Sequence, residues 1–553
     1  MMPGEESLSP SGHFEYHNRP RHDIFWGILY ACALALTVVG GLYASVHRNH
    51  KFALLSATEV RSDPSSCPAG PNLFSAKLQE QPGDFSVSDF MSKAAIWLLV
   101  SAVLSLALGL VFLWVFKWHS KIMTRITIQI QVLIPAIMGV SAIAAGQVGG
   151  GIILILLSLL AALVFWMWRG EIDLCARLLG IAAAGLNENP GLLGFVVAAK
   201  FSLLSVMLPL LAFSGLAYTN GDLAPNSHRD MVGHPTSCQD AEGAPVDCCM
   251  WQPDAWVAPY MTLANVTLLW SIFLVFEIRV FTISGTIAQW YFSPPGFISN
   301  QGTTVRSLKH ALGASFGSLS LGSLVLTVVQ LLRNAMENAR QQAQREGGSL
   351  LVSLASCLLE CVYSLIDYLT KFATVRMAIT GEAFLEAARR ATDLLARNFL
   401  KAYGVWWFPP MVLNCAAFLL SLAWGLLIFT LSWLRWQSGT NGTQEAAILG
   451  ALCFVMALVV LLFFSSVLLN IVDAVFMCYA LDLDTQSVTK AEVHEVFSQV
   501  PVGVAVEQPG GDYAYGAPAS PQRAHGGYVP PSHPAAAAGH SPMARRNDSA
   551  AQV

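Results

Sequence analysis

Glu277 and Asp473 are the two carboxylates that stand deepest in apolar stretches of this 553-residue chain. A carboxylate in such surroundings is costly to leave charged, so it normally faces a partner or a wet cavity and often lies on a substrate or proton path. The first of these stretches, Leu268 to Phe292, also holds Trp270 near its middle and closes on Trp290, Tyr291 and Phe292. Aromatic faces attract a cation through the ring quadrupole, at about 0.5–2 kcal/mol per face. Trp270, Glu277, Trp290, Tyr291 and Asp473 are therefore candidate residues of an organic-cation site. Each has a plainer reading: Trp290 and Tyr291 suit the aromatic belt of a membrane interface, Trp270 suits helix packing, and the carboxylates suit structural pairs. Arg279 lies two residues past Glu277, on a different helix face, and is poorly placed to pair with it.

The next apolar stretch, Thr303 to Arg333, reads as a second span with a ladder of small residues: Gly313, Ser315, Gly317, Ser318, Ser320, Gly322 and Ser323. Small side chains let another backbone approach closely. Gly285, Gly313, Gly317 and Gly322 are thus candidates for close helix packing or gating. Enzyme signatures are missing: the sequence has no phosphate-binding glycine loop, nucleophile elbow or paired Cys/His metal spacing. The expectation is a non-enzyme without cofactor or metal.

Those residues need membrane helices to hold them. The chain is 54% hydrophobic and only 12% charged, with a mean hydropathy of +0.53, whereas a soluble protein is usually about one-quarter charged. A net charge of −4 with scattered basic residues gives no electrostatic case for nucleic acid. Apolar runs long enough to cross a bilayer start with Ile24–Val46 and continue at Ala95–Phe116, Ile126–Gly146, Ile152–Trp168 and Leu192–Tyr218. The central pair follows, then Leu350–Phe372, Phe408–Leu434 and Ala446–Cys478. The expectation is an all-α polytopic membrane protein of about ten transmembrane helices. Residues 1–23 read as an N-terminal tail, 24–485 as the transmembrane domain and 486–553 as a Gly/Pro/Ala-rich disordered tail. Asn187 to Pro190 read as a simple turn before the fifth span.

Lys117, Lys121 and Arg125 crowd a nine-residue link, while loop 219–257 holds one basic residue, Arg229. The positive-inside rule puts the first inside and the second outside, with both chain ends cytoplasmic and loops 47–94 and 219–257 external. Cys67, Cys238, Cys248 and Cys249 then face an oxidising exterior and are disulfide candidates in any of three connectivities. Asn441 begins an external glycosylation sequon. The alternating count places the arginine-bearing segment 332–349 outside, so either it violates the charge rule or the 350–372 span is re-entrant.

The segment Ile283–Phe292 (ISGTIAQWYF), then Arg306, Lys309 and LGASFGSLSLGSLVL, resembles the signature of the choline transporter-like proteins, in its fungal and algal branch. Further likeness comes from Arg21–Trp26, from Cys357 to Phe384 with the Arg397-Asn398 pair, and from Asp473–Tyr479 with the acidic exit Asp482–Asp484. Departures are Glu277, Arg279, Thr374 and Val375. The resemblance implies transport of choline or a related cation such as ethanolamine by alternating access, facilitated or proton-exchanging. It implies the plasma membrane or an organelle membrane, with membrane lipid as surroundings. A non-transporting scaffold or lipid-interacting protein of the same fold is the rival.

Overall fold

Inside a bilayer the backbone must satisfy its own hydrogen bonds, and this chain does so with helices. The computed structural model describes residues 14, 19–49, 51–52, 87–167, 169–228, 238–239, 243–293, 302–345, 350–397, 399–436 and 442–498. Cys67, the Pro294-Pro295 pair, Asn441 and residues 499–553 lie outside the described residues. Thirteen helices run through the described part. They are α1 (Ile24–Val46), α2 (Val87–Ala144), α3 (Val148–Met167), α4 (Arg169–Glu188), α5 (Gly191–Tyr218), α6 (Val257–Tyr291) and α7 (Thr303–Leu312). After these come α8 (Phe316–Arg345), α9 (Leu350–Thr380), α10 (Phe384–Arg397), α11 (Phe399–Trp436), α12 (Gly442–Asp484) and α13 (Ala491–Ser498).

Among the described residues, eight of these helices are long and apolar enough to cross a membrane. α2 alone is 58 residues long, about 87 Å at 1.5 Å per residue, nearly three times a hydrocarbon core of about 30 Å. It serves as two passes, divided at His119, the one residue with non-helical geometry (φ −132°, ψ 31°). The basic link expected at 117–125 is therefore helix broken at a single residue, and no loop. α9 is a continuous helix of 31 residues, about 46 Å long, so the stretch left ambiguous by the charge rule contains no re-entrant turn, although it is not one of the eight apolar spans. Counting α2 as two passes, the eight spanning helices make nine passes among the described residues, against the ten or so expected.

The Thr303–Arg333 stretch differs from its sequence reading. It is two helices, because Gly313 to Ser315 leave helical geometry and Gly313 ends α7. α7 is amphipathic, with Thr303, Thr304, Ser307 and Ala311 buried against α6, so only α8 is a span. The 219–257 loop also carries structure: β1 (Gly221–Pro225) pairs antiparallel with β2 (Cys249–Pro253). Within this loop the sulfurs of Cys238 and Cys248 are bonded.

α6 holds the central place, packing on α1, α5, α7, α8, α9 and α12. Every residue from Val280 to Tyr291 is buried. At one end of the bundle, Asn49 Nδ2 donates to Gly221 O at 2.8 Å and Trp251 Nε1 to Tyr218 O at 2.8 Å, joining the ends of α1 and α5 to the hairpin. At the other end, the Arg19 guanidinium donates to the carbonyls of Met377, Ala378 and Ile379. That cation sits on the last turn of α9, where free carbonyls and the helix dipole favour it.

Candidate functional site

On α9, Ser364, Asp367, Tyr368 and Lys371 recur at the three- and four-residue steps that put side chains on one helix face. They line a cavity of about 350 Å³ closed by Pro410 of α11 and by Leu469 and Asp473 of α12. Pro410 has no N–H to contribute, and Leu469 and Asp473 are one helical turn apart. Lys371 Nζ makes an ion pair with Asp473, whose side chain is only 12% exposed. One turn further along α9, the Thr374 hydroxyl donates to the buried Glu277 carboxylate. Lys371 and Asp367 are the charged neighbours of Glu277. Three carboxylates thus gather near one lysine, and Asp367 has Arg333 as a further charged neighbour. The Tyr368 ring, tilted against Phe372 at 4.7 Å, supplies an aromatic wall. The volume lies at the lower end of the ~300–1,000 Å³ usual for small-molecule sites.

The residues singled out from sequence fall into three places. Asp473 lines the cavity and Glu277 adjoins it through α9. Trp270 lies elsewhere: its Nε1 donates to Ser320 O at 3.0 Å and Ser323 Oγ at 3.1 Å, and its ring meets Tyr30 edge-on at 5.3 Å. Trp290 and Tyr291 form a third group, about 20 Å along α6 from Glu277. Trp290 Nε1 donates to Glu188 Oε2 at 2.5 Å, and Lys490 Nζ stands 4.1 Å from the centre of its ring. Tyr291 donates to Asp482 Oδ2 at 2.9 Å. The buried Asp482 carboxylate also accepts from Thr489 N, Thr489 Oγ1 and Ser487 Oγ and meets His494 Nε2 at 3.1 Å. Burial holds the Lys490 ammonium below its ordinary pKa, while Glu188 and Glu492 oppose the shift. The indole faces a cation, but that cation belongs to the chain.

The four glycines sit at close contacts. A Cβ on Gly285 would come within 2.9 Å of Ser307 Oγ, one on Gly322 within 2.9 Å of the Phe384 ring and one on Gly313 within 2.8 Å of Lys309 O. One on Gly317 would come within 2.4 Å of Asp23 O. The polar residues at 187–190 do more than turn the chain, since Glu188 holds Trp290 and Asn189 Oδ1 accepts from Thr303 Oγ1 at 3.2 Å. Asp367, Tyr368 and Lys371 were not among the sequence candidates. Their spacing with Ser364 inside an apolar helix was the signal that marks them. Glu277 and Thr374, both departures from the family pattern, are partners of one another.

A family model described as plasma-membrane choline transporter matches residues 152–484, which includes every residue lining the cavity. A CTL-like protein of Dictyostelium discoideum is 25% identical over 504 residues, 85% of this chain and 86% of that protein. A protein called PNS1 in Aspergillus fumigatus is 24% identical over 482 residues, covering 84% of this chain and 80% of its own length. For PNS1 of Gibberella zeae the match is 26% over 204 residues, 36% of this chain and 38% of that protein.

Proposed function

Because the chain belongs to the choline transporter-like family, we propose that it carries choline or a related organic cation such as ethanolamine through the cavity between α9, α11 and α12. The observation behind this reading is the set of three carboxylates, Asp367, Asp473 and Glu277, gathered near Lys371, which pairs with Asp473. A quaternary ammonium has no N–H to donate, so charge and ring faces must hold it. Asp473 supplies the charge and Tyr368 the face. Lys371 is a resident cation on Asp473: an incoming substrate displaces it, and Glu277 and Asp367 receive it. Local charge stays balanced while the site passes from one side to the other. Proton exchange is the coupling in this reading, carried by the same carboxylates. The protein works at the plasma membrane or an organelle membrane, with the hairpin end outside, the Cys238–Cys248 bridge formed there and both chain ends in the cytoplasm.

Uptake of labelled choline into transport-deficient cells, with and without an imposed pH gradient, tests this reading. Asp473→Asn is expected to lower uptake by about tenfold or more, the loss of roughly 1.4 kcal/mol of substrate binding. Lys371→Gln is expected to lower KM by about threefold or more, because it removes the competitor that keeps the site only partly available, and to lower the maximal rate as well. Wild-type protein at the surface with no uptake above background would sink the choline reading. The packing of Trp270 and Trp290 against protein groups favours a second reading, a non-transporting membrane scaffold of the same fold. That reading predicts background uptake for wild type and both variants.

A further inference from the structure

On a different face of α6 from Glu277, two cations share one aromatic ring between α5, α6 and α12. Lys200 Nζ of α5 stands 5.9 Å from the centre of the Phe276 ring and 5.0 Å from that of Phe463. The Arg279 guanidinium of α6 stands 5.3 Å from the same Phe276 centre. Its Nη1 reaches Ser466 Oγ on α12 at 3.4 Å, a weak contact, and its buried Nε has no partner. Among the described residues, neither Lys200 nor Arg279 makes an ion pair. Two like charges set side by side in an apolar bundle, with a buried guanidinium donor unmet, call for an anion.

The position narrows its class. Beside Lys200, α5 turns Phe201, Leu204, Leu208 and Leu211 outward, so the groove opens on lipid. α6 has 35 residues, about 52 Å, and so exceeds the hydrocarbon core by about 20 Å. Polar segments around Glu188 and Lys490 clothe its Tyr291 end. Arg279 lies about 18 Å from that end, in a groove between membrane helices. A guanidinium fork and an ammonium on one small site match a phosphate group, and basic pockets between membrane helices take anionic headgroups. We infer that Lys200, Arg279 and Ser466 form a phosphate-binding site, filled by the phosphodiester of an anionic phospholipid or by a soluble phosphate ester.

The test uses the full chain purified in detergent. Native mass spectrometry counts bound phosphatidylglycerol against phosphatidylcholine, and melting curves record the response to each lipid and to glycerol 3-phosphate. The comparison is between wild type, Lys200→Gln/Arg279→Gln, Arg279→Lys, and Arg125→Gln as a control at the Asp173 ion pair outside the groove. Wild type and control are expected to retain about tenfold more phosphatidylglycerol than the double variant, as befits the loss of charge-assisted contacts, with Arg279→Lys in between. Stabilisation of wild type by glycerol 3-phosphate, absent in the double variant, would assign the site to a soluble ester. Equal phosphatidylglycerol binding by wild type and the double variant, with no response to glycerol 3-phosphate, would overturn the site. Should the double variant not purify as a single species, Arg279→Lys and competition of glycerol 3-phosphate with phosphatidylglycerol on wild type decide it: no change in either overturns the site.

Discussion

Glu277 has one hydrogen-bonding partner that matters most, the hydroxyl of Thr374. A buried acceptor deprived of its donor costs about 1–3 kcal/mol. Thr374→Val, which keeps the shape and removes the hydroxyl, should therefore destabilise the purified protein by about that amount. Thr374→Ser should restore most of it. Thermal melting in detergent reads both; a Val variant that melts with wild type would mean that Glu277 draws its support from Lys371 instead. At this scale the sequence was only half legible. Glu277 and Asp473 stood out because a carboxylate in an apolar run is rare and costly. Lys371 and Asp367 did not, because both stand near the end of the apolar Leu350–Phe372 run, where charge reads as the flank of a span. The Trp290–Glu188 bond joins positions 102 residues apart, a pairing that local pattern does not register.

The helices themselves were read well wherever apolar length decides them, as with α1, α3 and α5. They were read poorly where a break depends on one or two residues. His119 divides α2 and Gly313 separates α7 from α8, and neither lies in a run of turn-forming residues. The small-residue ladder has a structural consequence at Gly317, where the backbone of Asp23 runs against α8. Asp23 Oδ2 there accepts from Ser318 Oγ at 2.6 Å and from Phe384 N at 3.3 Å, tying the segment before α1 to α8 and α10. Gly317→Ala would push a methyl into a backbone carbonyl that cannot move as a side chain can, at a cost of about 1–3 kcal/mol. Gly194→Ala, with nothing within 4 Å of the added Cβ, should be neutral or slightly stabilising by helix propensity. Equal melting of the two variants would show that the Asp23 contact yields easily. At α13, the lowered pKa of Lys490 means that the unfolded chain binds its proton more tightly than the folded one. The charged form is thus penalised across neutral pH, and wild type gains stability as pH rises towards the ordinary lysine value. Melting from pH 7 to 10 should show wild type improving relative to Lys490→Met; a constant gap between them would mean that Glu188 and Glu492 cancel the cost of burial.

Across the whole molecule, the two ends of the bundle carry different parts. Asn49, Phe52, Trp251 and the hairpin cluster at one end, while Arg19, the Glu188–Trp290–Lys490 group, Asp482 and α10 collect at the other. α12 ends at Asp484 beside Tyr291, so its first residue, Gly442, lies at the hairpin end. The Lys93–Glu445 ion pair at 3.3 Å likewise ties the start of α2 to that end. The charge rule, applied to Lys117, Lys121 and Arg125 near the opposite end, sends the hairpin outward. Asn441 immediately precedes Gly442 in sequence, and the expectation is that its sequon and the Cys238–Cys248 bridge face the same compartment. Asn441→Gln is then expected to remove one glycan and raise gel mobility in a eukaryotic host. Maleimide that cannot cross the membrane should label Cys238 and Cys248 on intact cells only after reduction. The two readouts are expected to agree. Labelling from the cytoplasmic side with an unglycosylated Asn441 would invert the whole topology.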